Sequence, residues 1–282
     1  MSKVAIVTDS TAYIPQSLIG DYPITVLPQV LVWGNETFKD GVDIQPIEFY
    51  KRLEKATIMP STSQVSPAEF EKAFRELLAQ GYEVLAILIS NLVSGTIASA
   101  IQAKAMLEGQ PIELIDSQST CMAMGFQVLA AGEAAARGAS LAECKAVAEA
   151  ARERSGVVFT VETLEFLHRG GRIGGGTRFL ATALNIKPIM ELTGGKIEGI
   201  EKVRTRRKAL ARLVELVGER TGGQKPLRIS VLQANVQQEA EDLLEQVKNA
   251  YEVVEGTVTD VSPVIGTHAG PGTVGICWMV EE

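Results

Sequence analysis

"YEVLAILISNLVSGTIASAIQAKAMLEG", residues 82–109, changes character in its middle. Through Ser90 it is nearly continuous aliphatic sequence, the signature of a strand buried on both faces. "TIASAIQAKAMLEG" then supplies helix formers and closes on Gly109, so the spacing predicts a helix whose first turn lies next to Ser94. A fully apolar strand feeding a helix is the unit of a parallel sheet covered on both sides. The unit recurs: "KVAIVTDS" (3–10), "YPITVLPQVLVW" (22–33) and "PIELIDS" (111–117) read as further strands, with helical segments such as "SPAEFEKAFRELLAQG" (66–81) between them. "TCMAMGFQVLAAGEAAARG" (120–138) and "SLAECKAVAEAARERSG" (140–156) follow as two helices, the second opened by a Ser-x-x-Glu capping box at Ser140.

After Gly156 the pattern shifts. "IKPIMELTGGKIEGIEKVRT" (186–205) is two strands around Gly194-Gly195, a strong hairpin signal. An amphipathic helix (206–220), a strand (227–234), a helix (236–250) and a strand-rich end (251–280) complete the chain. The expected fold is α/β in two domains: a mostly parallel sheet domain over 1–155 and a largely antiparallel α/β domain over 156–282.

With 282 residues and 46% hydrophobic content the chain can bury real cores. No window reaches the roughly 18 apolar residues of a membrane span, and "MSKVAIVTDS" enters a strand without a leader's apolar core and cleavage site. These features point to a cytoplasmic protein with at most transient membrane contact. Cys121, Cys144 and Cys277 are odd in number and lack CxxC spacing, which reads as packed, reduced thiols. A net charge of −7 disfavours a nucleic-acid partner, and two histidines without ligand spacing offer no metal site.

Candidate chemistry gathers in polar clusters at element ends. Ser94 and Thr96 flank Gly95 at a helix start, where free N–H groups favour anions; either hydroxyl could equally cap the helix. "MPSTSQVSPAEF" (59–70) contains a capping box at Ser66 and leaves Ser61, Thr62, Ser63 and Gln64 as a polar loop facing either solvent or a ligand. Asp9 and Asp116 end strands, so they line a ligand crevice or tie local N–H groups in turns. His268 sits in glycine-rich "GTHAGPG" (266–272), which implies close backbone approach. His168, weighted toward a structural role, shares "FLHRGGRIGGGTR" (166–178) with Arg169 and Arg172. That loop fits neither GxGxxG nor a Walker motif, so it is a solvated basic face or a dock for a phosphate or an acidic partner, joined by Arg204. A serine hydrolase using Ser94 and His268 is a further alternative, although "LVSGT" is no nucleophile elbow.

Taken in order, "VAIVTDST", "STSQVSPAEF", "SGTIASA", "LIDSQST", "FLHRGGRIGG", "KPIMELTGGKI" and "GTHAGPGTVG" resemble the DegV family over nearly the whole chain. The resemblance implies a fatty acid held between two domains. It implies a non-enzymatic, cofactor-free carrier, the fatty-acid-binding subunit that presents a carboxylate to a separate ATP-dependent fatty acid kinase subunit for acyl phosphate formation. Carried over by position, the carboxylate contacts fall on Thr62, Ser94 and His268, with Ser63, Gly95, Thr96 and Thr267 as flanking candidates and Arg169, Arg172 and Arg204 as candidate partner or phosphate contacts. Apolar candidates for the tail are Met122, Met124, Phe126, Phe179, Leu180, Leu184 and Ile186, each also a candidate for ordinary core packing. One departure is "TSQVS" where the family usually reads "TSQPS".

Overall fold

The computed structural model describes residues 3–281, apart from the side chains of 181–185. In chain order it forms strands β1 (Lys3–Asp9), β2 (Ile24–Leu27), β3 (Val30–Trp33), β4 (Glu36–Lys39), β5 (Ser61–Ser63), β6 (Tyr82–Leu88) and β7 (Ile112–Asp116). These are followed by β8 (Ser155–Thr160), β9 (Lys187–Thr193), β10 (Lys196–Val203), β11 (Leu227–Gln233), β12 (Val253–Asp260) and β13 (Val274–Val280).

The aliphatic strand that opened the sequence reading is central in an all-parallel sheet of order β2-β1-β6-β7. Because side chains alternate faces, β6 divides its residues between two cores. Leu85 and Ile87 join Met124, Val128, Cys144 and Ala148 from the helices Cys121–Ala136 and Leu141–Arg154. Val84, Ala86 and Leu88 join Phe70, Phe74, Ala100 and Ala103 from the helices Pro67–Ala79 and Thr96–Ala105. Helices therefore cover both faces, which is why the strand is wholly apolar from Val84 to Leu88.

The second sheet has order β10-β9-β8-β13-β11-β12 and is antiparallel except between β11 and β12. Its core takes in the helices Arg206–Thr221 and Gln237–Ala250. The mixed α/β architecture thus matches the expectation of a parallel and a largely antiparallel sheet. The helix Cys121–Ala136 is apolar over most of its surface, since it packs into the parallel sheet's core and also into the cluster shared with β8 and β13.

Three local readings change. "YPITVLPQVLVW" breaks at Pro28, which has no N–H for a ladder. β2 stays in the parallel sheet, while β3 leaves to pair with β4 and β5 in a three-stranded antiparallel sheet. Ser61–Ser63, read as a polar loop, is the edge strand β5. Within the strand-rich end lies a helix, Pro263–Ala269, opened by Ser262 accepting from Ile265 N at 3.3 Å with Pro263 in the first position.

Both capping boxes form, at Ser66/Glu69 and Ser140/Glu143. All three cysteines are buried and unpaired, and Asp9 and Asp116 each accept from N–H groups two residues on. Among the described residues no helix is long and apolar enough to cross a membrane. Ser66→Ala removes a cap just beyond β5 and should destabilise the protein by about 1 kcal/mol. Urea unfolding should report it as a lower midpoint at unchanged slope.

Candidate functional site

Three segments deliver the polar end of one cavity. After β6 the chain turns so that Ser94 N donates to Ser90 O at 3.0 Å. Ser94 Oγ then accepts from Thr96 N at 3.3 Å and meets Thr96 Oγ1 at 2.8 Å, serving a free N–H at the start of the helix Thr96–Ala105. On β5, Thr62 pairs with Leu31, a fully buried core residue. Opposite residues of an antiparallel pair share a face, so Thr62 turns inward while Ser61 and Ser63 are exposed. His268 lies in the last turn of the helix Pro263–Ala269. Its Nε2 lies 2.8 Å from Thr62 Oγ1.

From this pair a cavity, part of it open to solvent, runs between the two sheets. Ser63, Gln64, Ser94, Gly95 and Arg172 join Thr62 and His268 at the polar end. The wall is Cys121, Val157, Phe159, Leu192, Leu232 and Val261, with further apolar neighbours. A hollow on the outside shares Thr62, Arg172 and His268 and adds Arg169 and Thr267. The polar side chains therefore partition an apolar interior from the surface.

Burial, and then the positive charge of Arg172, pull the His268 pKa from its ordinary 6.5 to about 4. The imidazole is neutral at pH 7. Its Nδ1 has no partner among the described residues and lies against Gly170, where a Cβ would come within 2.1 Å. Only glycine leaves the ring that space. Arg172 donates from Nε to Val93 O at 3.0 Å and from Nη1 to Gly170 O at 2.7 Å, which fixes its charge beside the partition. Hydroxyls, a neutral imidazole and one held guanidinium at the end of an apolar cavity suit an anionic, acceptor-only head group on an apolar body.

Thr62, Ser63, Ser94, Gly95, Arg172 and His268 thus meet at one place. Thr96 is fully buried behind Ser94 and does not line the space. Thr267 faces the outer hollow and donates to Pro263 O at 2.9 Å; Arg169 also stands there, paired with Glu165. Arg204 stands apart. It follows β10, whose opposite end places Ile197 in the cavity wall, so roughly 20 Å of strand separates them. His168 is exposed on the helix Glu165–Arg169.

Among the described side chains, the tail candidates do not line the cavity. Met122, Phe126, Phe179 and Ile186 pack in the core around it, because the helix Cys121–Ala136 offers only its first residue to the space. Met124 belongs to the parallel sheet's core, Leu180 is 36% exposed, and the Leu184 side chain lies outside the described residues. Sequence reasoning also missed Gln29, buried at 2% exposure and bonded to Thr96 Oγ1 at 2.7 Å. A lone glutamine inside "TVLPQVLVW" was its available signal.

The geometry does not favour the alternatives. Among the described residues Ser94 and His268 share no hydrogen bond, and an imidazole titrating near 4 is a poor general base at neutral pH. In "GRIGGG", a Cβ on Gly174 would meet Ile197 O at 2.0 Å, so that glycine lets the loop lie against β10.

The family model described as "Uncharacterised protein, DegV family" matches residues 3–281. The chain belongs to the DegV family. Protein DegV of Bacillus subtilis is 35% identical over 281 residues, spanning 99% of this chain and 100% of the relative. A solved DegV family protein of Thermus thermophilus, described as binding fatty acid, superposes with a TM-score of 0.93 at 34% identity, covering 99% of this chain and 100% of its own. The crystal structure of DegV from Bacillus subtilis, described as a fatty acid binding protein, gives 0.89 at 34% identity with both chains fully covered.

In this DegV chain the depressed His268 pKa has a definite consequence for stability. Between about pH 6.5 and pH 4 the unfolded chain takes up the His268 proton and the folded one does not. The contribution is therefore fully present above pH 6.5 and is lost as pH falls through about 4. Chemical denaturation of the parent and His268→Gln at pH 7.5 and pH 4.5 should show the smaller acid-side loss in the variant.

Proposed function

We propose that this protein binds a long-chain fatty acid, with the carboxylate held by Thr62, Ser94 and His268 and the tail in the apolar cavity between the two sheets. Residues 1–155 and 156–282 act as two domains that close on the ligand, which is handed to a separate ATP-dependent kinase subunit for acyl phosphate formation. The observation that carries the reading is the 2.8 Å Thr62–His268 pair, set at the polar end of an otherwise apolar cavity and shared with a surface hollow. The fatty acid binding described for relatives of 34% identity supports it.

The energetics divide the labour. At about 0.8 kcal/mol per methylene, a tail of about fifteen contributes at most about 12 kcal/mol before the cost of ordering it. A buried carboxylate must be met by donors or it cancels part of that gain. The tail supplies affinity and the polar partition supplies orientation. Arg172, at the partition, belongs with the head group. Arg169 in the outer hollow and the more distant Arg204 are offered to the partner.

Native mass spectrometry of the freshly purified protein should find a long-chain acid bound; a protein free of acyl chains, and unable to take up added fatty acid, would refute the reading. Ser94→Ala and His268→Ala should each weaken fatty acid binding by roughly 1 to 3 kcal/mol without abolishing it. Parent-like affinity in both would move the head group elsewhere. With fatty acid and ATP alone the protein should form no acyl phosphate, and addition of an acyl kinase subunit should start the reaction. Arg169→Glu should slow that coupled reaction, more so at low salt, and leave binding unchanged; Arg172→Glu should impair both.

A further inference from the structure

A hydroxyl can donate or accept, and the buried network behind Ser94 settles which it does toward the cavity. Thr96 Oγ1 lies 2.7 Å from Gln29 Nε2 and 2.8 Å from Ser94 Oγ. The Gln29 side chain also reaches the fully buried Asp9 carboxylate. One Asp9 oxygen accepts from Thr11 N at 3.0 Å and the other from Ile89 N at 2.9 Å. Toward Thr96 the Gln29 side chain presents its NH₂ group, and an amide nitrogen only donates. Thr96 Oγ1 is therefore the acceptor of that bond. Thr96, buried completely, has Ser94 Oγ as the acceptor for its own hydroxyl proton. Ser94 Oγ already accepts from Thr96 N, so its own proton is left for the cavity that it lines.

We propose that Gln29 is a positioning residue: through Thr96 it fixes Ser94 as a donor into the cavity and so sets the site's preference for head groups that only accept, carboxylates ahead of alcohols. The proposal rests on the head-group reading above. Gln29 itself is held independently of any ligand. Its N donates to Ser10 Oγ at 3.0 Å, Ser10 Oγ donates to Asp40 at 2.6 Å, and Asp40 N donates to Gln29 O at 2.9 Å.

The test compares hexadecanoate with hexadecan-1-ol, an uncharged head group that reads Ser94 as donor or acceptor, by displacement of a fluorescent fatty acid. In Gln29→Glu the ionised carboxylate at position 29 only accepts toward Thr96. Thr96 then donates to it and accepts from Ser94, which reverses the chain. Hexadecanoate should weaken about tenfold and hexadecan-1-ol less than about twofold. Gln29→Met, which releases the chain without reversing it, should give a smaller loss with the same ligand selectivity, and it decides alone if Gln29→Glu does not fold. Equal losses for both ligands, or none, would overturn the proposal. Failure of the underlying reading looks different, because Ser94→Ala would then leave hexadecanoate unaffected.

Discussion

A single buried carboxylate holds the corner on which the site is built. Asp9 ends β1 at zero exposure, and burial alone would push its proton back on. Against that rise in pKa, which still prevails, it collects Thr11 N, Thr11 Oγ1, Ile89 N and the Gln29 side chain. Those donors belong to the first strand-to-helix turn, to the end of β6 and to the start of β3. The carboxylate thus fixes three chain segments that diverge from the parallel sheet's edge, and each leads within a few residues to the cavity. Removing the side chain would leave two backbone N–H groups unpaired in an apolar interior, a cost that falls on the site's architecture as a whole.

Around that corner the two sheets contribute unlike things. The parallel sheet ends in turns, and turns expose N–H groups and hydroxyls such as those at Ser94. The second sheet presents strand faces, which give Val157, Phe159, Leu192 and Leu232. A cavity closed between a row of turns and a sheet face is polar at one end and apolar along one wall for purely topological reasons. The helix Pro263–Ala269 closes the polar end from the second half of the chain, so the Thr62–His268 bond joins residues far apart in sequence.

The parallel sheet was legible because its strands are buried on both faces, and a run such as "VLAILI" fits little else. The hairpin at Gly194-Gly195 was legible because its turn needs positive φ, which both glycines adopt. Ser94, Thr62 and His268 were legible as motif positions. Their junction was not, since no local pattern encodes a contact between a strand edge and a distant helix. Met122, Met124 and Phe126 pack in cores instead of lining the cavity, and methionine and phenylalanine on a largely apolar helix read alike whether they face a core or a space. The helix of His268 was missed although Ser262-Pro263 repeats the Ser66-Pro67 start that was recognised; glycines at 266, 270 and 272 outweighed it. Gln29 drew no notice because a polar residue inside a strand run declares burial only once the strand's neighbours are known.

The close approach of Gly170 to the His268 ring reaches beyond the present site into the history open to it. A side chain at position 170 cannot be accommodated while the imidazole holds its place, and a smaller residue at 268 would remove the objection at once. The two positions are thus epistatic: the order in which they change decides whether an intermediate is tolerated. A descendant that gives up the imidazole first gains freedom at 170, and once that freedom is used the road back is closed.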